Sequence, residues 1–240
     1  MTVRLTLVTA IIGCFAVSGA MAASQYGATA PSKPTATAPA KPAASKSTTA
    51  TVAAAPKPVA TSQRADLRVA MRKLWEDHIT YTRNYIISAV AKLPDTDAVA
   101  ARLMKNQEDI GNAIKPYFGD AAGTKLTGLL KDHISIATEV VKAAMANDST
   151  ALDAAQKKWS QNGKDIADFL AGANPNWDKA TMEMMLQKHL DLTTGEVVGR
   201  LKQDWNADIS SYDQGHDHML MFADMLTDGI VKQFPKKFTA

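Results

Sequence analysis

From about residue 65 to residue 235, apolar side chains recur at i, i+3, i+4 and i+7, the spacing that lines one face of an α-helix. Met71, Leu74, Trp75, His78, Tyr81, Thr82, Tyr85, Ile86 and Ala89 make the first such face. Pro94 and Asp95-Thr96-Asp97 end it and start the next helix. The second runs from about 97 to 113, burying Val99, Leu103, Ile110 and Ile114, and 115–119 reads as a turn. The third carries the cleanest stripe, from Leu126 through Leu130, His133, Ala137 and Val141 to Ala144. The fourth, about 150–171, buries Leu152, Ala155, Trp159, Ile166 and Leu170. A fifth begins near Asp178. Thr193-Thr194-Gly195-Glu196 has the form of a capping box, so a sixth helix is expected from about 194, with Val197, Val198, Leu201, Trp205 and Ile209 inward. A last helix, about 213–234, presents Met219, Phe222, Met225, Leu226 and Ile230. No segment alternates with period two between hairpin turns. The predicted fold is all-α: an antiparallel bundle of six to seven helices joined by short connections.

Three of these helices share a short pattern. Leu74-Trp75-Glu76-Asp77-His78-Ile79, Leu129-Leu130-Lys131-Asp132-His133-Ile134 and Met185-Leu186-Gln187-Lys188-His189-Leu190 place their histidines 55 and 56 residues apart. The helix after each of the first two carries a second match, Asn106-Gln107-Glu108-Asp109-Ile110 and Asn162-Gly163-Lys164-Asp165-Ile166. The third counterpart is read as Trp205-Asn206-Ala207-Asp208-Ile209, which makes the third unit shorter. If helices alternate in direction, the three histidine helices run parallel. His78, His133 and His189 then stand at one height, facing a shared interior.

Neutral imidazole ligates transition metals, and bundles set such ligands on facing helices. His78, His133 and His189, with Asp109, Asp165, Glu139 or Glu196 as a carboxylate partner, make a candidate site for zinc, copper or iron. Equally, each histidine can be a core residue copied by duplication; neither HExxH nor Glu-x-x-His spacing occurs. Met182, Met185 and His189, and later His216, His218, Met219 and Met221, form a soft-ligand set suited to copper, although methionine at helical spacing ordinarily fills core. Asp213, Asp217, Asp224 and Asp228 read as a solvated face. Trp75, Trp159, Trp177 and Trp205 are core residues or the walls of an apolar pocket. No catalytic signature is present: no GxSxG, no P-loop and no glycine-rich dinucleotide turn.

Residues 1–22 have the form of a secretory signal, with Arg4, an apolar run from Leu5 to Val17, and Ala20-Met21-Ala22 for cleavage. Ile11-Ile12-Gly13-Cys14 is an alternative lipobox, in which Cys14 anchors the chain to lipid. Cys14 is the only cysteine, so a mature chain cut at Ala22 has neither disulfides nor thiolate ligands. Residues 23–64 are rich in Ala, Pro, Thr and Lys and read as a disordered tether. That tether holds five basic and no acidic residues, while the chain from 65 on has 21 basic against 24 acidic. The excess positive charge is therefore a tail property, giving at most weak contact with an anionic envelope surface. No basic stripe interleaved with aromatics suggests nucleic acid, and no transmembrane span is expected after residue 22. The expected organisation is signal 1–22, tether 23–64, bundle 65–235 and tail 236–240. It describes a protein exported to the periplasm or beyond, acting as a non-enzymatic module for an envelope protein or a small ligand.

Several stretches also carry a resemblance: Leu74-Trp75-Glu76-Asp77-His78 with Thr82-Arg83, Leu130-Lys131-Asp132-His133, Asp165-Ile166-Ala167 after Trp159, Asn174-Pro175-Asn176-Trp177, and Met221 to Asp224 with Gly229-Ile230. In these the chain resembles a family of small bacterial helical proteins without an established activity. Members are sometimes labelled acetylglutamate kinase or glycosyltransferase, which implies an α/β nucleotide-binding fold that this pattern does not support. The resemblance implies an all-helical fold over about 70–235 and assigns no catalytic residue.

Overall fold

The computed structural model describes residues 61–238, with side chains from Gln63 onward. The expected signal, Cys14 and nearly all of the expected tether lie outside the described residues. Six long helices follow one another: α1 (Thr61–Ala91), α2 (Thr96–Phe118), α3 (Asp120–Ala146), α4 (Ser149–Ala173), α5 (Lys179–Lys202) and α6 (Trp205–Gln233). A short 3-10 turn, Pro235–Phe238, ends the described chain. Each helix packs on its successor, and α6 packs back on α1, closing the ring. Among the described residues there is no strand, and no helix is long and apolar enough to cross a membrane.

The ring is three copies of one hairpin: α1–α2, α3–α4 and α5–α6. Counting from His78, His133 and His189, the residues seven before (Met71, Leu126, Met182), three before (Trp75, Leu130, Leu186), one after (Ile79, Ile134, Leu190) and eight after (Ile86, Val141, Val197) are all buried. Such a stripe of i, i+4, i+7 and i+8 positions is what an inward helix face requires. The return helices repeat as regularly, with Asn106, Asn162 and His218 followed four and eight residues on by Ile110 and Ile114, Ile166 and Leu170, Phe222 and Leu226, all buried.

The corners repeat too. Lys92, Asn147 and Gln203 each stand fourteen residues past the unit's histidine, at φ of 54°, 55° and 59°. A left-handed residue after a helix lets the following amides bond back to the last carbonyls. Leu93 N donates to Ser88 O (2.8 Å), Asp148 N to Ala143 O (3.1 Å) and Asp204 N to Gly199 O (2.9 Å). In units two and three the turn flows directly into the next helix. Asp148 and Asp204 cap α4 and α6 by accepting from Ala151 N (3.0 Å) and Ala207 N (3.1 Å).

Three expectations are corrected. The helix break at Thr193–Glu196 does not occur, and α5 runs unbroken to Lys202. The Thr193 hydroxyl donates to its own helix at His189 O (2.9 Å), the bond of a threonine inside a helix rather than at its start. The third unit is of full length, because its counterpart of Asn106 and Asn162 is His218. Trp205 and Ile209, expected inward, are half exposed, and the buried residue of that segment is Asp208. Beyond α6, Phe238 is buried and stacks on Tyr117, with ring centroids 5.8 Å apart.

The acidic face of the last helix is also more than a solvated surface. Asp224 accepts from Arg72 (2.8 Å) and pairs with Arg68 (3.1 Å), and Asp228 pairs with Arg68 as well. These pairs stitch α6 to α1 and contribute little energy individually, because they are exposed.

Glycine permits one close approach that decides the lower core. Trp177, in the α4–α5 connection, lies buried with the Nε1 side of its indole against Gly229 of α6. A Cβ at Gly229 would stand 1.9 Å from Trp177 Nε1 and 2.5 Å from Cδ1. Gly229→Ala should therefore destabilise the domain by about 2–3 kcal/mol, the overpacking cost outweighing alanine's better helix propensity. Gly128→Ala meets nothing within 4 Å and should stabilise by about 0.5–1 kcal/mol. Urea unfolding of the two variants measures the difference. Equal midpoints would show that the indole can leave its seat freely.

Candidate functional site: three imidazoles on the bundle axis

The parallel helices α1, α3 and α5 carry His78, His133 and His189 to one level, as their spacing requires. The ring centroids form a triangle with sides of 5.5 Å (His78–His189), 5.8 Å (His133–His189) and 6.4 Å (His78–His133). All three are at most 3% exposed. Trp75 packs edge-on against His78 (5.6 Å) and Trp159 lies tilted against His133 (5.3 Å), so the triad is walled by indole as well as aliphatic carbon.

The return helices hold the rings. Asn162 donates through Nδ2 to Leu129 O (3.0 Å), which fixes its Oδ1 as an acceptor. His133 Nδ1–H donates to that oxygen (2.8 Å), so its Nε2 carries a lone pair. Asn106 repeats the first bond, donating to Leu74 O (2.9 Å). Beside it Gln107 Nε2 lies 3.3 Å from His78 Nδ1, and donates to Leu103 O (2.8 Å). In the third unit His218 takes the asparagine's place and donates from Nε2 to Met185 O (2.8 Å). Leu74, Leu129 and Met185 each stand four residues before the unit's histidine, so one bond recurs three times with one change of donor. That change leaves His189 Nδ1 buried and without a hydrogen-bond partner.

Burial keeps the rings neutral. Loss of hydration is the largest cause at each. It pushes His78 down to about 3 and His133 to about 4, and carries His189 well below the usual histidine range. Neighbouring imidazoles add to the effect at His78 and His189, because a charge on one ring disfavours a charge on the next.

A cavity of about 20 Å³ adjoins the triad on the side of the left-handed corners, and all three histidines line it. Its other walls are mostly aliphatic, with hydroxyls at Thr82, Thr138, Thr193 and Thr194 and the ring of Tyr85. Thr82 and Thr193 occupy the same repeat position, each donating to its own histidine's carbonyl (2.7 and 2.9 Å). The space is enough for an ordered water. No Asp, Glu, Lys or Arg side chain lines it.

The expected carboxylate partners are not there. Asp109 faces Lys105 (3.1 Å) and Arg102 on the outside of α2. Asp165 accepts from Gln161 one turn away (2.9 Å), and Glu139 pairs with Lys158 (3.2 Å), both exposed. They sit three residues past the inward asparagines, or between inward positions of α3, which turns them to solvent. Glu196 alone is buried, and it is engaged by Arg83 (2.9 Å). As the rings stand, no three His, Cys, Asp or Glu side chains among the described residues are placed to hold a metal ion. The soft-ligand set is likewise dispersed, with Met182 and Met219 in the core, Met221 exposed, and His216 beside Glu76 and Asp217.

A second buried cluster was not foreseen. Asp208, 1% exposed, accepts from Arg83 Nη1 (3.0 Å) and Nη2 (3.2 Å) and from Arg200 Nη1 (3.0 Å). Arg83 also lies over the Tyr212 ring, 4.5 Å from its centroid. The cluster ties α1, α5 and α6 together next to the cavity's Thr82 and Thr193. Burial raises the Glu196 carboxyl to about 7, against the opposing pull of Arg83. The available signal was Arg83 and Glu196, five and seven residues past their units' histidines, on faces that also turn inward.

No family model, no curated protein and no solved structure matches this chain.

Proposed function

We propose that the protein is an exported, non-enzymatic binding module of the cell envelope, and that the imidazole chamber is its binding site. One observation carries the reading: three neutral imidazoles meet beside a cavity, and one of them has a buried nitrogen with no partner. Buried polar groups are ordinarily satisfied, and an exception calls for a reason such as a ligand. Export is supported by the signal-like residues 1–22 and by the tether-like composition that follows.

The test is a thermal-shift screen of small molecules and ions on the full chain and on Ala137→Leu, which plugs the chamber wall. Ligands of the chamber should raise the melting temperature of the wild type and leave the plugged variant unmoved. Ligands that stabilise both equally would place binding elsewhere and defeat the reading. N-terminal sequencing of the cell-envelope form tests export, with Ala23 expected first.

A second reading, a transition-metal bundle, is favoured by Asn162. Holding a ring's outer N–H on a fixed oxygen while the other nitrogen stays bare is how proteins orient metal-binding histidine.

A further inference from the structure

We infer that the chamber takes a neutral hydroxyl, that of water or of an alcohol as small as methanol, held between His78 and His133. The inference rests on the chamber being a binding site and names the chemistry of its occupant.

Three features carry it. The first is that the two rings have opposite hydrogen-bonding character. Gln107 Nε2 donates to Leu103 O (2.8 Å), which fixes it as the donor end of the amide, and it lies 3.3 Å from His78 Nδ1. The same nitrogen donates to Asn106 Oδ1 (3.2 Å). Facing a donor, His78 Nδ1 presents its lone pair, and the neutral ring carries its proton on Nε2. His133 is the reverse: its Nδ1–H goes to Asn162 Oδ1 (2.8 Å), and Nε2 is bare. With both Nδ1 edges held by return helices, the Nε2 edges offer one N–H and one lone pair, on rings whose centroids stand 6.4 Å apart. A direct bond between two such nitrogens, at about 2.9 Å, would draw the centroids to roughly 5 Å. A bridging oxygen at about 2.8 Å from each allows up to about 7 Å. A hydroxyl has both halves of the match, accepting from His78 and donating to His133. An ammonium has no lone pair, and a carboxylate has no proton.

The second is charge. The three rings are neutral, and no Asp, Glu, Lys or Arg lines the chamber. An ion placed there would have no counter-charge.

The third is size and lining. The volume of about 20 Å³ exceeds the roughly 10–15 Å³ that one water needs, but not by much. Thr82, Thr138 and Thr193 donate their own protons to the carbonyls of His78, Ser135 and His189, so they offer lone pairs, which suit the second proton of a water. Val140, Val141 and Val197 suit the methyl group of methanol.

The experiment records imidazole nitrogen and proton NMR signals of the full chain at pH 7, in water alone and with methanol or methylammonium, which have the same number of non-hydrogen atoms. His78 should carry its proton on Nε2 and His133 on Nδ1, and His78 Nε2–H should show cross-relaxation with a long-lived water. If water is the lasting occupant, that signal persists in methanol. If the alcohol replaces it, a methyl signal appears instead. Either supports the inference. Ala137→Leu should weaken the hydroxyl signal at least tenfold, and methylammonium should leave all three rings unmoved. Protons on the same nitrogen of both rings, or neither a water nor a methanol signal, would overturn the inference. So would a response to methylammonium as large as that to methanol, or a hydroxyl signal undiminished in the plugged variant. Should that variant fail to fold, the wild-type tautomers and the methanol-to-methylammonium comparison decide alone. A charged ligand found in the chamber by the thermal-shift screen would overturn this inference and leave the binding reading standing.

Discussion

Between pH 6.5 and pH 5 the folded domain should lose about 3 kcal/mol of stability, a large share of the 5–15 kcal/mol typical of domains. The sign follows from the triad. Unfolding frees His78, His133 and His189 to take protons near pH 6.5, while in the fold they stay neutral down to about 4 or below for the first two and well under the usual range for the third. Their contribution is present above pH 6.5 and is lost as the pH falls. Glu196 works against this trend. Its folded carboxyl, raised to about 7, is protonated before its unfolded counterpart, so its share of stability is lost as pH rises through 7 and regained as pH falls. Three histidine protons less one from Glu196 leave a net uptake of two on unfolding, a slope of about 3 kcal/mol per pH unit at the steepest. Urea titrations at half-unit intervals measure it. Glu196→Gln, which removes the offset, should steepen the slope to about 4 kcal/mol per unit. A stability curve flat from pH 7 to 5 would mean the rings are charged or solvated in the folded protein.

The second large effect separates two carboxylates of one cluster. Asp208→Ala should cost about 3–5 kcal/mol, because it strips three hydrogen bonds from two guanidinium groups and leaves their charge partly buried. Glu196→Gln should cost under about 1 kcal/mol at pH 7, since the neutral form already makes up about half the population and the amide keeps an oxygen for Arg83. Chemical denaturation of both variants at pH 7 decides the matter. Equal losses would show that Glu196 is fully ionised and carries as much of the arginine charge as Asp208.

The all-helical ring and the histidine layer were legible because they rest on periodicity. A residue every 3.6 positions defines a face, and a repeat of 55 or 56 residues returns the chain to the same face of a parallel helix. The third unit was misread for a physical reason. The bond to the carbonyl four residues before each histidine needs only an N–H donor, so an asparagine amide and the His218 imidazole are interchangeable there, while Trp205-Asn206-Ala207-Asp208-Ile209 copies the letters and not the bond. Thr193 misled in the same way, because a threonine hydroxyl serves a helix interior as well as a cap. The Asp208 cluster could not be read from local spacing. It joins residues 125 apart on helices that meet only when the ring closes.

The three left-handed corners at Lys92, Asn147 and Gln203 all fall at one end of the bundle, on the same side of the triad as the cavity. The opposite end is stoppered by Tyr117, Phe118, Trp177, Phe234 and Phe238, whose rings touch in succession. The bundle is thus packed with aromatic rings at the end where α1 begins, and its cavity lies toward the end that the three corners close.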